Sequence, residues 1–447
     1  MRSLLSYCLL SALATFVLNI AWQKWWLREV FVDPSAIISQ ALRITSRSWE
    51  LGTLTQALLE LEAPELTVFA SNPFPEGQIP PVVQPDNVRA LKYARSNIWT
   101  NHSHLLFNGE GSPADPASLG IAALLLGGHD QTYSDAARRQ AEYLMFNATR
   151  LHINQTNLAI SHRDEPPELW GDFIYMVPPF LAYYGAVNHD LYPLQEAVRQ
   201  CQLYNDVLET DIVLESGKIC RGLWRHIVSG PAELPSGVCC SDSNVWLTSN
   251  AWAVAGMTRV LATVLKWSPP ATSSINLTAY DDFVGATKDV LINIINSMLT
   301  CTIAQGRDMS SGLLRNYLDG RARLPAADAF GDTAGTALMA AAVCRLAVLF
   351  PGLFAASDIL HWADANWYAV IKHIDKSGIV GPVADVSNVP SKVPVRQTSE
   401  GQSMALLMYS ARRDCVRAGL CDGATRVQSK LVAKLLSMWR QKSAVWA

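Results

Sequence analysis

Apolar residues recur at spacings of three and four through most of the chain, as in TSNAWAVAGMTRVLATVL and TAGTALMAAAVCRL, the pattern of helices with a buried face. The spacing predicts helices over about 35–61 with a break near Gly52, then 87–99, 116–127, 134–150, 172–186, 190–208, 246–267, 280–301, 333–350, 355–376, 402–413 and 425–442. Between them lie loops rich in Gly, Pro, Ser and Asp, such as SNPFPEGQIPPVVQPDN and SGPAELPSGVCCSDSN. Sustained strand alternation is scarce, which leaves room only for short hairpins in the long loops. The fold class is therefore all-α. Several helices, ASLGIAALLLGG and GQSMALLMYSA among them, carry small residues on one side and bulky ones on the other. Small faces suit an inner ring of closely approaching helices and bulky faces an outer one. No fixed repeat of the tetratricopeptide or HEAT kind appears, so a closed α/α barrel over 31–447 is favoured above a solenoid.

The first thirty residues break this pattern. Leu4 to about Trp22 is one apolar run, with Arg2 before it and Trp25 and Trp26 beside Lys24, where a membrane interface would lie. Its length fits an N-terminal hydrophobic helix over 1–30 acting as a signal anchor, with a cleaved signal peptide ending near Ala12-Leu13-Ala14 as the alternative. Either puts the body of the chain in the secretory pathway, luminal or extracellular, with the membrane as a partner in the first case. The sequons at Asn101, Asn147, Asn154 and Asn276 agree with that compartment. Beyond Cys8, in the apolar run, the cysteines are Cys201, Cys220, Cys239, Cys240, Cys301, Cys344, Cys415 and Cys421. Their even number permits disulfides whose connectivity is open, Cys415 with Cys421 being the easiest local pair. Cys344, on an apolar helical face, reads as a buried thiol.

Hydrophobic residues make up 49% and charged residues 17% of the 447, enough for a large core. A net charge of −3, with no basic stripe, argues against nucleic acid as a partner. Zinc-ligand spacings, P-loop and Rossmann glycine patterns and the G-x-S-x-G elbow are all missing, so no metal or organic cofactor is called for.

The segment ELWGDFIYMVPPFLAYYG, Glu168 to Gly185, raises the question of chemistry. An aspartate before an apolar run reads first as a helix N-cap, and so does Asp115 ahead of Pro116. Yet ELWGDFIYMVPPFLAYYG also resembles W-x-D-x-x-Y/F-M-x-x-P-F-L of the unsaturated glucuronyl and rhamnogalacturonyl hydrolases, glycoside hydrolase families 88 and 105. ADPASLGIAALLLG resembles their early Asp-containing helix start, GLWRHIVSG their histidine segment, and WLTSNAWAVAGMTRVL their W-x-R-G-N-x-W-x-x-x-G helix. DTAGTALMAAAVCRL and SEGQSMALLMYSA resemble their two late helix starts, and the matches run in order over nearly everything after residue 85.

The resemblance implies an (α/α)6 six-hairpin barrel with long loops at the site end. It also implies hydration of the C4=C5 double bond of an unsaturated uronic acid, with Asp172 as proton donor, Asp115 as second acid and His226 as the site histidine. Trp170, Tyr175, Trp224, Trp246, Thr248, Asn250 and Trp252 are the candidate substrate-binding residues. Trp246 and Trp252 lie six apart and do not share a narrow helix face, so one can face the site while the other is core. Where the family carries arginine in W-x-R-G-N, this chain has Thr248 and Ser249, and a hydroxyl cannot replace a guanidinium fork on a uronate carboxylate. His162, Arg163, Arg221 and Arg225 are the candidates for a substitute charge. Consecutive Pro178 and Pro179 should kink the helix beyond Asp172.

The expected partner is a small-molecule or oligosaccharide substrate. The leading expectation is thus a divergent glycuronyl hydrolase-like enzyme. Two alternatives stand beside it: the same barrel acting by acid catalysis on a less charged secondary metabolite, and a non-catalytic glycan-binding or interaction protein.

Overall fold

The computed structural model describes residues 34–82, 84–153, 157–229, 242–319, 330–387 and 393–421. The principal helices are Pro34–Ile44, Ser48–Glu62, Arg89–Arg95, Gly120–Gly127, Gln131–Glu142, Phe173–Met176, Pro178–Asn188, Leu191–Leu208, Leu247–Lys266, Leu277–Ala304, Thr333–Leu349, Ser357–Lys372 and Ser399–Arg417. The expected hydrophobic helix over 1–30 and the helix over 425–442 lie outside the described residues. Among the described residues, no helix is long and apolar enough to cross a membrane.

Every second long helix belongs to an inner ring. Ser48–Glu62 packs on the 3₁₀ turn Asp115–Leu119, whose continuation Gly120–Gly127 packs on Pro178–Asn188. Contacts then pass to Leu247–Lys266, Thr333–Leu349 and Ser399–Arg417, and from there back to Ser48–Glu62, which closes the ring. Each inner helix is backed by an outer one: in order, Arg89–Arg95, Gln131–Glu142, Leu191–Leu208, Leu277–Ala304, Ser357–Lys372 and, behind Ser399–Arg417, Pro34–Ile44. The ring explains the all-round apolar character of the inner helices, since Leu247–Lys266 is buried without interruption from Leu247 to Val264. Small residues let the backbones meet. A Cβ at Gly256 would stand 2.1 Å from the Ile174 carbonyl oxygen, so only glycine permits this crossing.

Gly52 does not break its helix, contrary to the expectation from sequence. It sits inside Ser48–Glu62, where a Cβ would meet Ser118 at 2.0 Å, and the break falls before Ser48. There the backbone N–H groups of Ser46 and Arg47 donate to Glu50 Oε2, satisfying donors at the restarted helix. The double proline acts as expected: helix Phe173–Met176 ends, and Pro178 opens the next one at a position that needs no N–H.

Short two-stranded antiparallel ribbons occupy the loops. Glu168–Trp170 pairs with Ile227–Ser229, setting Trp170 opposite Ile227. Glu209–Val213 pairs with Ile219–Trp224, and a Cys220–Cys301 disulfide ties this ribbon to Leu277–Ala304. Cys415 and Cys421 form the expected local disulfide, while Cys201 and Cys344 are buried thiols. Cys239 and Cys240 lie outside the described residues.

Candidate active site

The inner helices present their N-terminal ends to one pocket. Arg47 and Trp49 come from the start of Ser48–Glu62, Asp115 from its 3₁₀ turn, Asp172 from the residue before Phe173–Met176, Trp246 from the start of Leu247–Lys266, and Glu400 from Ser399–Arg417. Loops add Gly109, Glu110, His162, Arg163, Trp170, His226 and Val386. The cavity measures about 280 Å³. That is near the lower end of small-molecule sites, roughly 300–1,000 Å³, and suits one sugar ring better than a long oligosaccharide.

Asp172 stands at the helix start, but its side chain makes no capping hydrogen bond. Its Oδ2 instead accepts from Ser249 Oγ at 2.8 Å and lies 3.5 Å from His226 Nε2. Close approach of the two segments depends on Gly171, where a Cβ would fall 2.4 Å from Ser249 Oγ. The other imidazole nitrogen, Nδ1, is 3.1 Å from Asp242 Oδ2. Asp242 is held in turn by Tyr317 Oη at 2.7 Å and by the backbone and side-chain N–H of Asn244. The imidazole of His226 thus stands between Asp242, its hydrogen-bond partner, and Asp172. Burial works to raise Asp242, but the hydrogen bond and charge of His226 and the donors Tyr317 and Asn244 outweigh it, so its carboxyl lies below the ordinary range. Asp172 moves the opposite way: burial raises it against the opposing effects of His226 and Ser249.

Asp115 and His162 form a second pair, Oδ1 to Nε2 at 3.4 Å. Asp115 is pushed up to about 7 by burial and then by the Asp172 charge. His162 is pushed down to about 3, by burial and then by Arg163 and His226, so this is a neutral carboxyl–imidazole contact. Glu400 is a third buried acid, raised well above its ordinary value by burial and by Asp172 and Glu50. Its Oε1 accepts from Trp49 Nε1 at 3.0 Å, and its Oε2 is buried without a partner. Burial thus disfavours the charged form of all three carboxyls on the pocket floor.

Aromatic rings wall it. Trp170 stacks on His162 with centroids 4.9 Å apart and meets His226 edge-on at 5.5 Å, while Trp246 packs on His226 at 4.5 Å. The ribbon that pairs Trp170 with Ile227 sets this geometry.

Of the residues expected from sequence, Asp172, Asp115, His226, Trp170 and Trp246 meet in the pocket. Tyr175, Trp224, Thr248, Asn250 and Trp252 do not line it. Trp252 is wholly buried against Tyr175, at 4.4 Å, and this resolves the choice between the two tryptophans: Trp246 faces the site and Trp252 is core. Trp224 is buried with its Nε1 on Asn205. Asn250 clamps the backbone, accepting from Trp224 N–H and donating to the Trp224 and Trp246 carbonyls. Thr248 donates to Asp332 Oδ2 at 3.0 Å, because Asp332 caps the neighbouring inner helix and needs that donor.

Sequence reasoning misses Asp242, Ser249, Glu400, Trp49 and Arg47 as site residues. Only Glu400 carries a signal, in SEGQSMALLMYSA; the others are brought in by tertiary contacts. Asn101, Asn147 and Asn276 are exposed, and Asn154 lies outside the described residues.

The closed ring of helical hairpins is that of the six-hairpin glycosidase superfamily. Within it, the chain belongs to Glycosyl Hydrolase Family 88, whose model matches residues 89–413. Among solved structures, the fold is similar to a possible member of the GH105 family from Klebsiella pneumoniae, with 13% identity, 85% of this chain and 91% of that one covered, and a TM-score of 0.60. It is also similar to a family 105 glycoside hydrolase from C. acetobutylicum (15%, 84% and 97%, TM-score 0.59) and a family 88 glycosyl hydrolase from Bacteroides vulgatus (14%, 86% and 100%, TM-score 0.53). No curated protein matches the chain.

Proposed function

We propose that the chain is an unsaturated glycuronyl hydrolase-like enzyme, in which Asp172 protonates C4 of a C4=C5 enol-ether bond and water adds at C5. The observation that carries this reading is Asp172 itself: a partly buried carboxyl whose pKa is raised, lining an aromatic pocket 3.5 Å from Nε2 of His226, which is paired on its other side with Asp242. Surroundings that disfavour the carboxylate are what a proton donor to an enol ether needs. With Nδ1 of His226 turned to Asp242, Nε2 is the atom that can exchange a proton with Asp172. Asp115, beside neutral His162, is the second acid and is placed to orient water.

The Cys220–Cys301 and Cys415–Cys421 disulfides and the exposed sequons Asn101, Asn147 and Asn276 support a luminal or extracellular catalytic body. The test is turnover of unsaturated oligosaccharides left by polysaccharide lyases. The wild-type chain should consume the double-bond chromophore, and Asp172→Asn should lower kcat by about a hundredfold to ten-thousandfold, the span of general acid catalysis. An Asp172→Asn variant as active as the wild type would remove Asp172 from the chemistry.

A further inference from the structure

We infer that the carboxylate of an anionic sugar is held at the pocket rim by Arg163 with Arg47, two guanidiniums gathered around Glu110, in place of the arginine absent at Thr248. This rests on the glycuronyl reading and adds to it the residues that select the acid. Thr248 cannot serve, since its hydroxyl is spent on Asp332. Among the other cations near the loops, Arg221 is exposed and paired with Glu209 at 2.8 Å, and Arg225 donates to the Val207 carbonyl. Neither lines the pocket. His162 lines it but is neutral.

Arg163 and Arg47 both line it. Arg163 Nη2 donates to the Glu110 carbonyl oxygen at 3.0 Å, with its Cζ 6.0 Å from the Trp170 ring centroid. Arg47 Nη1 lies 3.4 Å from Glu110 Oε2. The backbone is bent to allow this: Glu110 has φ 50 and Gly111 φ 86, and a Cβ at Gly111 would stand 3.0 Å from Arg163 Nη2. A non-glycine residue held in the left-handed region costs free energy, and such positions cluster at binding and catalytic sites.

The Glu110 carboxylate pairs with Arg47, while Arg163 meets only the Glu110 backbone carbonyl, which leaves one positive charge at the rim. Burial disfavours the charged form of the floor acids Asp115, Asp172 and Glu400, which weakens their opposition to that charge. The Arg163 charge reaches into the pocket, where it acts on both Asp115 and His162. A half-exposed Arg47–Glu110 pair is easily opened by an incoming carboxylate. The inner-helix N-termini at this end add to the attraction for an anion.

The test is calorimetric binding to the full chain carrying Asp172→Asn, which arrests turnover. The probes are glucuronate, a lyase-derived unsaturated disaccharide, and the methyl ester of each. The acids should bind about tenfold or more tighter than the esters, as charge-assisted guanidinium pairing implies. Adding Arg163→Gln should abolish that preference, and a melting transition like that of the parent shows that the variant is folded. Arg47→Gln should reduce it. An acid preference that survives both substitutions, or no acid preference at all, overturns the inference. If uronates bind in an Arg163-dependent way but the double bond is never consumed by the wild type, the rim site stands and the hydrolase reading falls. If the wild type consumes the double bond while acid preference is unchanged in both arginine variants, the hydrolase reading stands and the rim site falls.

Discussion

Asp115 is buried against His162 and near Asp172, and it keeps its proton to about pH 7 in the folded chain, against 3.8 for the free group. The folded state therefore binds the extra proton throughout that window, and stability falls as pH rises from about 4 to about 7. The loss attached to this group is on the order of 4 kcal/mol. Asp115→Asn removes the titration, so its melting temperature should vary less with pH across the window than that of the wild type. Parallel melting curves for the two proteins would show that Asp115 is not the buried proton holder. Asp172 shows how far local sequence reasoning reaches. Spacing marks it as an N-cap, and it does stand at a helix start. Its carboxyl, however, takes its hydrogen bond from Ser249, a residue of another helix that no local pattern connects to it.

At the scale of elements, helix positions are legible because an inner-ring helix is apolar along its length and loops interrupt it with proline, glycine and polar residues. What periodicity cannot distinguish is a glycine that breaks a helix from one that admits a neighbour. Spacing reads Gly52 as a break, yet it lies mid-helix against Ser118. Gly256 is of the same kind, with the Ile174 carbonyl where its Cβ would be. Gly256→Ala gains helix propensity but must push Leu247–Lys266 away from Phe173–Met176. It should destabilise the chain by about 1–3 kcal/mol, the usual cost of overpacking. Because this crossing also sets Asp172 against Ser249, the variant should lose activity out of proportion to stability. Denaturant unfolding with parallel activity assays checks both, and a more stable variant would contradict the packing argument. The Cys220–Cys301 bridge is not foreseeable either, since it joins a short ribbon to a distant helix.

For the whole molecule, ring closure turns residues far apart in the chain into one site. Trp49, Asp115, Asp172, Trp246 and Glu400 meet because each stands where an inner helix begins, and those starts share one end of the barrel. Ordered segments resembling families 88 and 105 make the acids, the histidine and the fold legible. The core tryptophans Trp224 and Trp252 read as site residues only because burial does not show in sequence. Asp242 and Arg47 escape a sequence reading because nothing local points to them.

Protonation of a double bond, rather than attack at the anomeric carbon, is what sets this chemistry apart. A proton NMR time course on an unsaturated disaccharide tests it most directly. The olefinic H4 signal should disappear mole for mole with release of the second sugar, and both changes should be slowed about a hundredfold or more with Asp172→Asn. Release of that sugar with H4 intact would place the reaction at the anomeric carbon, and a substrate left untouched by the wild-type chain would rule out the hydrolase.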